Sequence, residues 1–159
     1  MKTLVGVISD THGLVRPEVL KIFAEVDQIL HAGDIGKGGV IAQLEAIAPV
    51  TAVRGNIDLG QPWARQLNET EAVNIDGWRI LLCHDRDQSA DQMAMKHYDL
   101  VVYGHSHRPE WDDRGQENGP ALRWLNPGSA GRRRFKLPVS VALLTVTSAA
   151  LEVELINLL

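Results

Sequence analysis

Cysteine is nearly absent: Cys83 is the only one in 159 residues. A lone thiol closes no internal disulfide, which fits a reducing compartment. No segment approaches the roughly 18 continuous apolar residues of a membrane span. The apolar start, Met1 to Ile8, is too short for a signal-peptide core with its cleavage site and reads as a first strand. A cytoplasmic protein is therefore expected. An excess of positive charge is also missing, since 16 Lys and Arg stand against 20 Asp and Glu, for a net charge of −4. That balance argues against a broad nucleic-acid surface, and nucleic acid is not expected as a stable partner. Internal repeats, low-complexity tracts and linkers are lacking too, so residues 1–159 are expected to form one domain with a substantial core.

What is present is a succession of short apolar runs, each closed by a polar, glycine-bearing loop. Residues 4–8 are apolar without helical period, predicting a buried strand that ends in Ser9-Asp10-Thr11-His12-Gly13. Pro17 suits the first turn of a helix whose apolar face is Val19, Leu20, Ile22, Phe23 and Val26. Residues 28–32 predict a second strand, closed by Gly33-Asp34-Ile35-Gly36, and residues 40–48 a helix stopped by Pro49. A third strand over 50–54 runs into Gly55-Asn56-Ile57-Asp58. These strand–loop–helix steps predict a βαβ beginning with parallel strands.

The second half changes character. Residues 71–75 and 78–83 predict a hairpin turning at Asp76-Gly77 and ending at His84-Asp85. Ser89 is placed as the cap of a helix reaching Tyr98. A strand over 99–103 ends in Gly104-His105-Ser106-His107, and Pro109 stops the segment. Short strands at 110–113 and 122–125 flank a turn at 114–120, followed by Asn126-Pro127-Gly128-Ser129. Residues 139–146 and 151–155 predict a closing hairpin. Parallel units first and antiparallel strands later predict two stacked mixed sheets with flanking helices, an α/β sandwich.

Asp10, His12, Asp34, Asn56, His84, His105 and His107 each stand just past a predicted strand. Open α/β sheets place their ligands at that edge. Singly, each has a plain structural reading: the aspartates as caps or turn formers, Asn56 as a turn residue, His84 as a strand end. Independent caps need not recur after five strands, and that recurrence points to one shared site. Seven oxygen and nitrogen donors exceed the three or four protein ligands usual for one metal, so two ions sharing a carboxylate are expected. Carboxylate and imidazole without thiolate favour manganese, iron, zinc or a related ion over a soft metal.

Asp10-Thr11-His12, Gly33-Asp34, Gly55-Asn56-Ile57-Asp58, His84 and Gly104-His105-Ser106-His107 resemble the ordered motifs of calcineurin-like metallophosphoesterases. Ser9-Asp10-Thr11-His12-Gly13 and Asn126-Pro127-Gly128-Ser129 are similar to the small single-domain branch, the YfcE-type phosphodiesterases. The resemblance spans residues 4 to about 131. It implies a four-layer α/β/β/α sandwich of two mixed β-sheets flanked by helices. It also implies that Asp10, His12, Asp34 and His107 hold one ion and that Asp34, Asn56, His84 and His105 hold the other, with Asp34 as the bridge. The implied activity is hydrolysis of phosphodiesters by a hydroxide bridging two divalent ions. Manganese is the expected metal, with nickel, zinc, iron and magnesium as alternatives. A small phosphate ester or nucleotide is the implied substrate. A phosphomonoesterase or nucleotide pyrophosphatase on the same site, and a non-catalytic scaffold like the retromer subunit Vps29, are the other readings. An amidohydrolase would also use His-x-His, but near the first strand of a barrel of about 250 residues; length and motif order exclude it.

Two positions depart from the family pattern. Many superfamily members carry histidine where Ile57 stands, placed to protonate the leaving oxygen. Asp85 stands where the branch usually has glycine, and is read either as orienting an imidazole or as facing solvent. Asp58 is read as orienting Asn56 or its neighbours. Gly36-Lys37 is not a nucleotide P-loop, because His31 stands where the first glycine is needed and Gly38 where the hydroxyl is needed. His31 reads as a core residue or a support for the ligands, His97 as a charge partner at a helix end, and Trp63 as a wall or anchor of the pocket. Arg132-Arg133-Arg134 reads as a solvated run or a phosphate-steering patch. The apolar end from Leu155 to Leu159 is left to pack on the sheet or form a subunit contact, with a homodimer or higher homo-oligomer expected from symmetry.

Overall fold

The structure is a computed structural model that describes residues 2–113 and 122–159; the turn expected at 114–120 lies outside the described residues. The described residues form ten strands: β1 (Lys2–Ile8), β2 (Gln28–His31), β3 (Val50–Ala52), β4 (Thr70–Ile75), β5 (Trp78–Cys83), β6 (Leu100–Val102), β7 (Glu110–Asp112), β8 (Arg123–Asn126), β9 (Ser140–Thr147) and β10 (Leu151–Asn157). They divide into two five-stranded sheets, ordered β10-β9-β1-β2-β3 and β4-β5-β6-β8-β7. In the first, β1, β2 and β3 run parallel as the βαβ reading requires, and the closing hairpin adds β9 antiparallel to β1. The second sheet departs from the expected antiparallel pattern: β5, β6 and β8 are parallel, with antiparallel strands only at the edges. The short β7 goes to the far edge and leaves the place beside β6 to β8.

Alternation along the strands separates two faces and fixes the layers. Val5, Val7 and Leu30 of the first sheet meet Ile80, Leu82, Leu100 and Val102 of the second in one buried core. On the outer face of the first sheet, Ile8 and Ile29 pack against Val19 and Phe23 of the α1 (Pro17–Ile22) region and Val40 and Leu44 of α2 (Gly38–Glu45). Gly6 matters here, because a Cβ would sit 3.0 Å from the Phe23 ring. On the outer face of the second sheet, Leu81, Cys83, Val101 and Tyr103 meet Met93 of α3 (Ser89–Met95) and Tyr98 just beyond it. The order is helix, sheet, sheet, helix. With both sheets covered on both sides, β1, β5 and β6 read as near-continuous apolar runs.

Local chemistry explains the remaining details. Asp76 and Gly77 both take positive φ, 50° and 90°, as a two-residue hairpin turn needs. Ser89 is not the expected cap: its Oγ donates to the Arg86 carbonyl, and the cap is Asp85, which accepts from Asp87 N–H at 3.0 Å. Helix formation thus starts with a 3-10 turn (Arg86–Gln88), and α3 stops at Met95, where Lys96 turns extended. The chain end joins the sheet as edge strand β10, and Leu158 is buried on the helix side. Among the described residues, no helix is long and apolar enough to cross a membrane.

Candidate metal centre

Parallel strands end together, and here their C-terminal ends carry the polar loops. The loops are stitched to one another before any side chain acts. Asp10 N–H donates to Gly33 O at 2.9 Å and His12 N–H to Asp34 O at 3.0 Å, joining the loops after β1 and β2. Gly104 N–H donates to His84 O at 2.9 Å, joining those after β5 and β6. His105 N–H donates to Asp10 Oδ2 at 3.2 Å and ties the second sheet to the first. There is little room to relax: a Cβ at Gly104 would strike Ser9 Oγ, and one at Gly55 would strike Asp34.

That stitching holds the backbone in a costly form. Asp10, His12, Asp34, His105 and His107 all take φ between 47° and 70°, the left-handed region. Such residues cost of order 1–3 kcal/mol each and persist only where the surroundings impose them. Five of the seven donors named from the sequence share this conformation, and no apolar period could have signalled it.

The side chains converge as two groups of donors, Asp10–His12–His107 and Asp10–Asp34–His84, all buried except the half-buried His12. His107 Nε2 lies 3.4 Å and His12 Nε2 3.9 Å from Asp10 Oδ1. Asp34 Oδ2 lies 3.7 Å from His12 Nε2 and 3.4 Å from His84 Nε2, between the two groups as a bridging carboxylate would be. His105 stands outside both groups, its Nδ1 3.3 Å from His84 Nε2. Asn56 opens a 3-10 turn (Asn56–Asp58) with its side chain exposed. The sequence reading thus places five donors together, a sixth in contact with them, and Asn56 at the rim.

These donors suit cations better than one another. Asp10 Oδ1 and His12 Nε2 are buried without a hydrogen-bond partner, a state that normally costs 1–3 kcal/mol per group. Separations of 3.4–3.9 Å are too long for hydrogen bonds. They are about the spacing of neighbouring ligands on an ion with bonds of roughly 2.0–2.2 Å. The set of oxygen and imidazole donors without thiolate suits divalent ions, and the residues fit them.

Supporting contacts orient the donors. His84 Nδ1–H donates to Ala32 O at 2.8 Å, which leaves Nε2 facing Asp34. Burial opposes charge on His84, but the facing Asp34 carboxylate, together with the Asp10 charge, outweighs it and raises its pKa. Burial would also neutralise Asp34, yet His84, the Ile57 N–H and His12 hold it down at about 2. Burial lowers the pKa of His12 despite Asp34 and Asp10, with His107 and Arg134 adding to the fall. An imidazole kept neutral is the form that binds metal. His31 lies beneath: its Nδ1 accepts from Gly33 N–H, so Nε2–H donates to Thr11 Oγ1, and burial drives its pKa to about 4. It supports the loops and holds no ligand position.

Sequence reasoning undervalued three supports. Asp58 is fully buried and accepts from the N–H groups of Ile35, Gly36 and Gly55, locking the loops after β2 and β3. Asn126, which ends β8 at the same edge, donates to Gly104 O and Ser106 Oγ. Ser9 Oγ donates to Asp10 Oδ2 at 2.6 Å. The parallel placement of β8 was the signal for Asn126, and it is a long-range fact. Asp85 caps its turn while Oδ2 stays 3.9 Å from His105 Nε2, too far to orient that ring by a hydrogen bond. Trp63 packs against the helix-side core over Gly38, as an anchor, and His97 pairs with Asp99 at 3.1 Å. Cys83 is buried beneath His84, and burial, with Asp85 nearby, pushes its thiol up to about 12, away from reactivity.

Comparison with known proteins bears on the fold and the family. A probable metallophosphoesterase of Methanothermobacter thermautotrophicus is 32% identical over 169 residues, covering 97% of this chain and 92% of that protein. The structure of an archaeal phosphodiesterase superposes with a TM-score of 0.76 at 26% identity, over 99% of this chain and 100% of the other. A zinc complex of Vps29 from Entamoeba histolytica gives 0.68 at 26% identity, over 97% and 98%. Residues 3–149 match the calcineurin-like phosphoesterase superfamily domain, and the chain belongs to that superfamily.

Proposed function

We propose that this protein is a metal-dependent phosphodiesterase, acting as one domain over residues 1–159, with Asp10, His12, Asp34, Asn56, His84, His105 and His107 as the ligands of two divalent ions. The observation that supports this best is the meeting of buried donors from both sheets with Asp10 Oδ1 and His12 Nε2 left unsatisfied. When bound, two such ions supply a water acidified enough to attack phosphorus and neutralise the phosphate oxygens. The chain's own part is to hold the donors still: Asp34 is kept ionised by His84, His12 is kept neutral by burial, and Asp58 and Asn126 fix the loops. Ile57 offers only its backbone N–H, to Asp34 Oδ1 at 3.2 Å, and protonates no leaving group. Cleavage therefore favours esters whose alcohol leaves readily. Manganese is the proposed metal, since carboxylate oxygens suit it and the thiolates that would select a soft metal are missing from the donor set. A reducing cytoplasm is proposed from the lone buried thiol, and homo-oligomerisation from symmetry.

The second reading is a Vps29-like scaffold. Since a Vps29 structure contains zinc, metal content does not separate the two readings, whereas turnover does. The deciding experiment is a panel of mono-, di- and cyclic phosphate esters with manganese, magnesium, zinc and nickel. Diester turnover supported by at least one of these metals is expected. Protein that holds metal yet cleaves no ester would be the scaffold.

A further inference from the structure

The loop after Ser129 has features that the metal centre leaves unexplained. It departs from the centre itself: Gly131 N–H donates to Asp10 O at 3.2 Å, and Arg16 clamps Gly131 O at 3.0 Å. Arg132-Arg133-Arg134-Phe135-Lys136 follows, and residues 127–137 contain no acidic side chain although the chain as a whole is acidic. The segment is bonded into shape, with Leu137 N–H donating to Arg134 O at 3.1 Å and Arg133 Nε to Leu137 O at 3.2 Å.

Phe135 is the odd residue. It is 93% exposed and sits at φ 53°, a left-handed backbone that bulky side chains avoid. An exposed ring on a strained backbone contributes nothing to the core, and such outliers gather where ligands are held. The ring, Lys136, Leu137 and Arg108 line one open hollow of about 620 Å³. Arg108, exposed, directly follows the donor His107 in the chain, so one wall of the hollow continues the loop that carries that donor.

We propose that this hollow is the substrate subsite of the centre: Arg108 holds a phosphate oxygen, Phe135 stacks an aromatic base, and the preferred substrates are phosphodiesters of nucleosides. The proposal rests on the phosphoesterase reading and deepens it. A guanidinium fork matches phosphate geometry, and an exposed aromatic face accepts any base. Stacking one base is worth roughly 5- to 150-fold in affinity.

The test is calorimetric titration of the manganese-loaded protein with AMP and with ribose 5-phosphate, which share a phosphate and differ by the base. AMP is expected to bind at least about fivefold more tightly. Phe135→Ala should bring the ratio to about one and Phe135→Trp should retain it. Arg108→Ala should weaken both ligands by a common factor, with partial recovery in Arg108→Lys. Equal affinities in the parent protein, no binding of either ligand, or a ratio that survives Phe135→Ala overturns the subsite. The same samples are assayed on methyl p-nitrophenyl phosphate. Turnover with equal affinities removes the subsite alone, whereas base-dependent binding without turnover by any metal removes the hydrolase reading and leaves the subsite.

Discussion

Around His12 and His107 the donor atoms are enclosed and unsatisfied; around His84 and His105 they are bonded and partly open. On the first side, Asp10 Oδ1 and His12 Nε2 have no partner, and the His107 side chain is 7% exposed. On the second, His84 is anchored on Ala32, His105 leans on His84, and the His105 side chain is 47% exposed beside the exposed Asn56. The difference teaches how such a centre divides its work. On the proposed reading a cation satisfies the enclosed donors, and the open side leaves room for water and substrate. Asp34 stands between them, its Oδ2 facing a histidine of each.

The change that breaks both sides at once is Asp34→Asn. An amide cannot serve as a charged bridge, so metal content measured on purified protein should fall on both sides and diester turnover by at least about 10³-fold. Normal turnover by this variant would remove the assignment of the centre. Separating the sides is the next step. His107→Ala opens a buried gap that water fills poorly and is expected to weaken metal binding by about 100-fold, whereas His105→Ala lets solvent replace an exposed ligand and costs about tenfold. Titration of both metal-free variants with manganese reads the contrast, and equal losses would mean that enclosure does not set affinity.

The enclosed side also rests on His31, which gives a smaller effect through pH. Its folded pKa of about 4 lies below the unfolded value of 6.5, so protons bind more readily to the unfolded chain. The stability it contributes is fully present above pH 6.5 and is lost as pH falls from there toward 4. Between pH 7 and 5 metal-free protein should lose about 2 kcal/mol from this group. Urea midpoints read the loss, and His31→Gln should flatten that part of the profile. A parent protein equally stable at both pH values would show that His31 is solvated.

Much of this is legible in the sequence, and the reason is geometric. Apolar runs such as 4–8 and 78–83 mark strands because both faces are buried, and a parallel strand delivers its next residues to one edge. That rule alone brought Asp10, Asp34, His84 and His107 together. What escaped lies between distant segments. Ser129 Oγ bonds to Asp10 O across 119 residues, and Asn126 reaches Gly104 only because β8 inserts between β6 and β7. The left-handed backbone of five donors escaped too, since it is imposed by loop-to-loop bonds and no residue type demands it. Ser89 was mistaken for a cap because Asp85, four residues earlier, competes for the same role with a better acceptor.

The smallest expected effect concerns what the open side lacks. Ile57 is 43% exposed on the turn beside Asn56, where it can reach substrate but cannot donate a proton from its side chain. Its N–H bond to Asp34 is a backbone contact and survives substitution. Ile57→His should therefore keep the bridge and add an acid facing the leaving oxygen. General acids give roughly 10²–10⁴-fold when well placed, and an unrefined geometry should yield about tenfold. The gain belongs to alkyl diesters, whose alkoxide needs the proton, more than to aryl diesters, whose phenolate does not. The ratio of aryl to alkyl turnover should thus narrow, and the gain should fade as pH rises past the ordinary histidine range near 6.5. A ratio unchanged in Ile57→His would mean that leaving-group protonation does not limit this centre, and that the open side is shaped for substrate access alone.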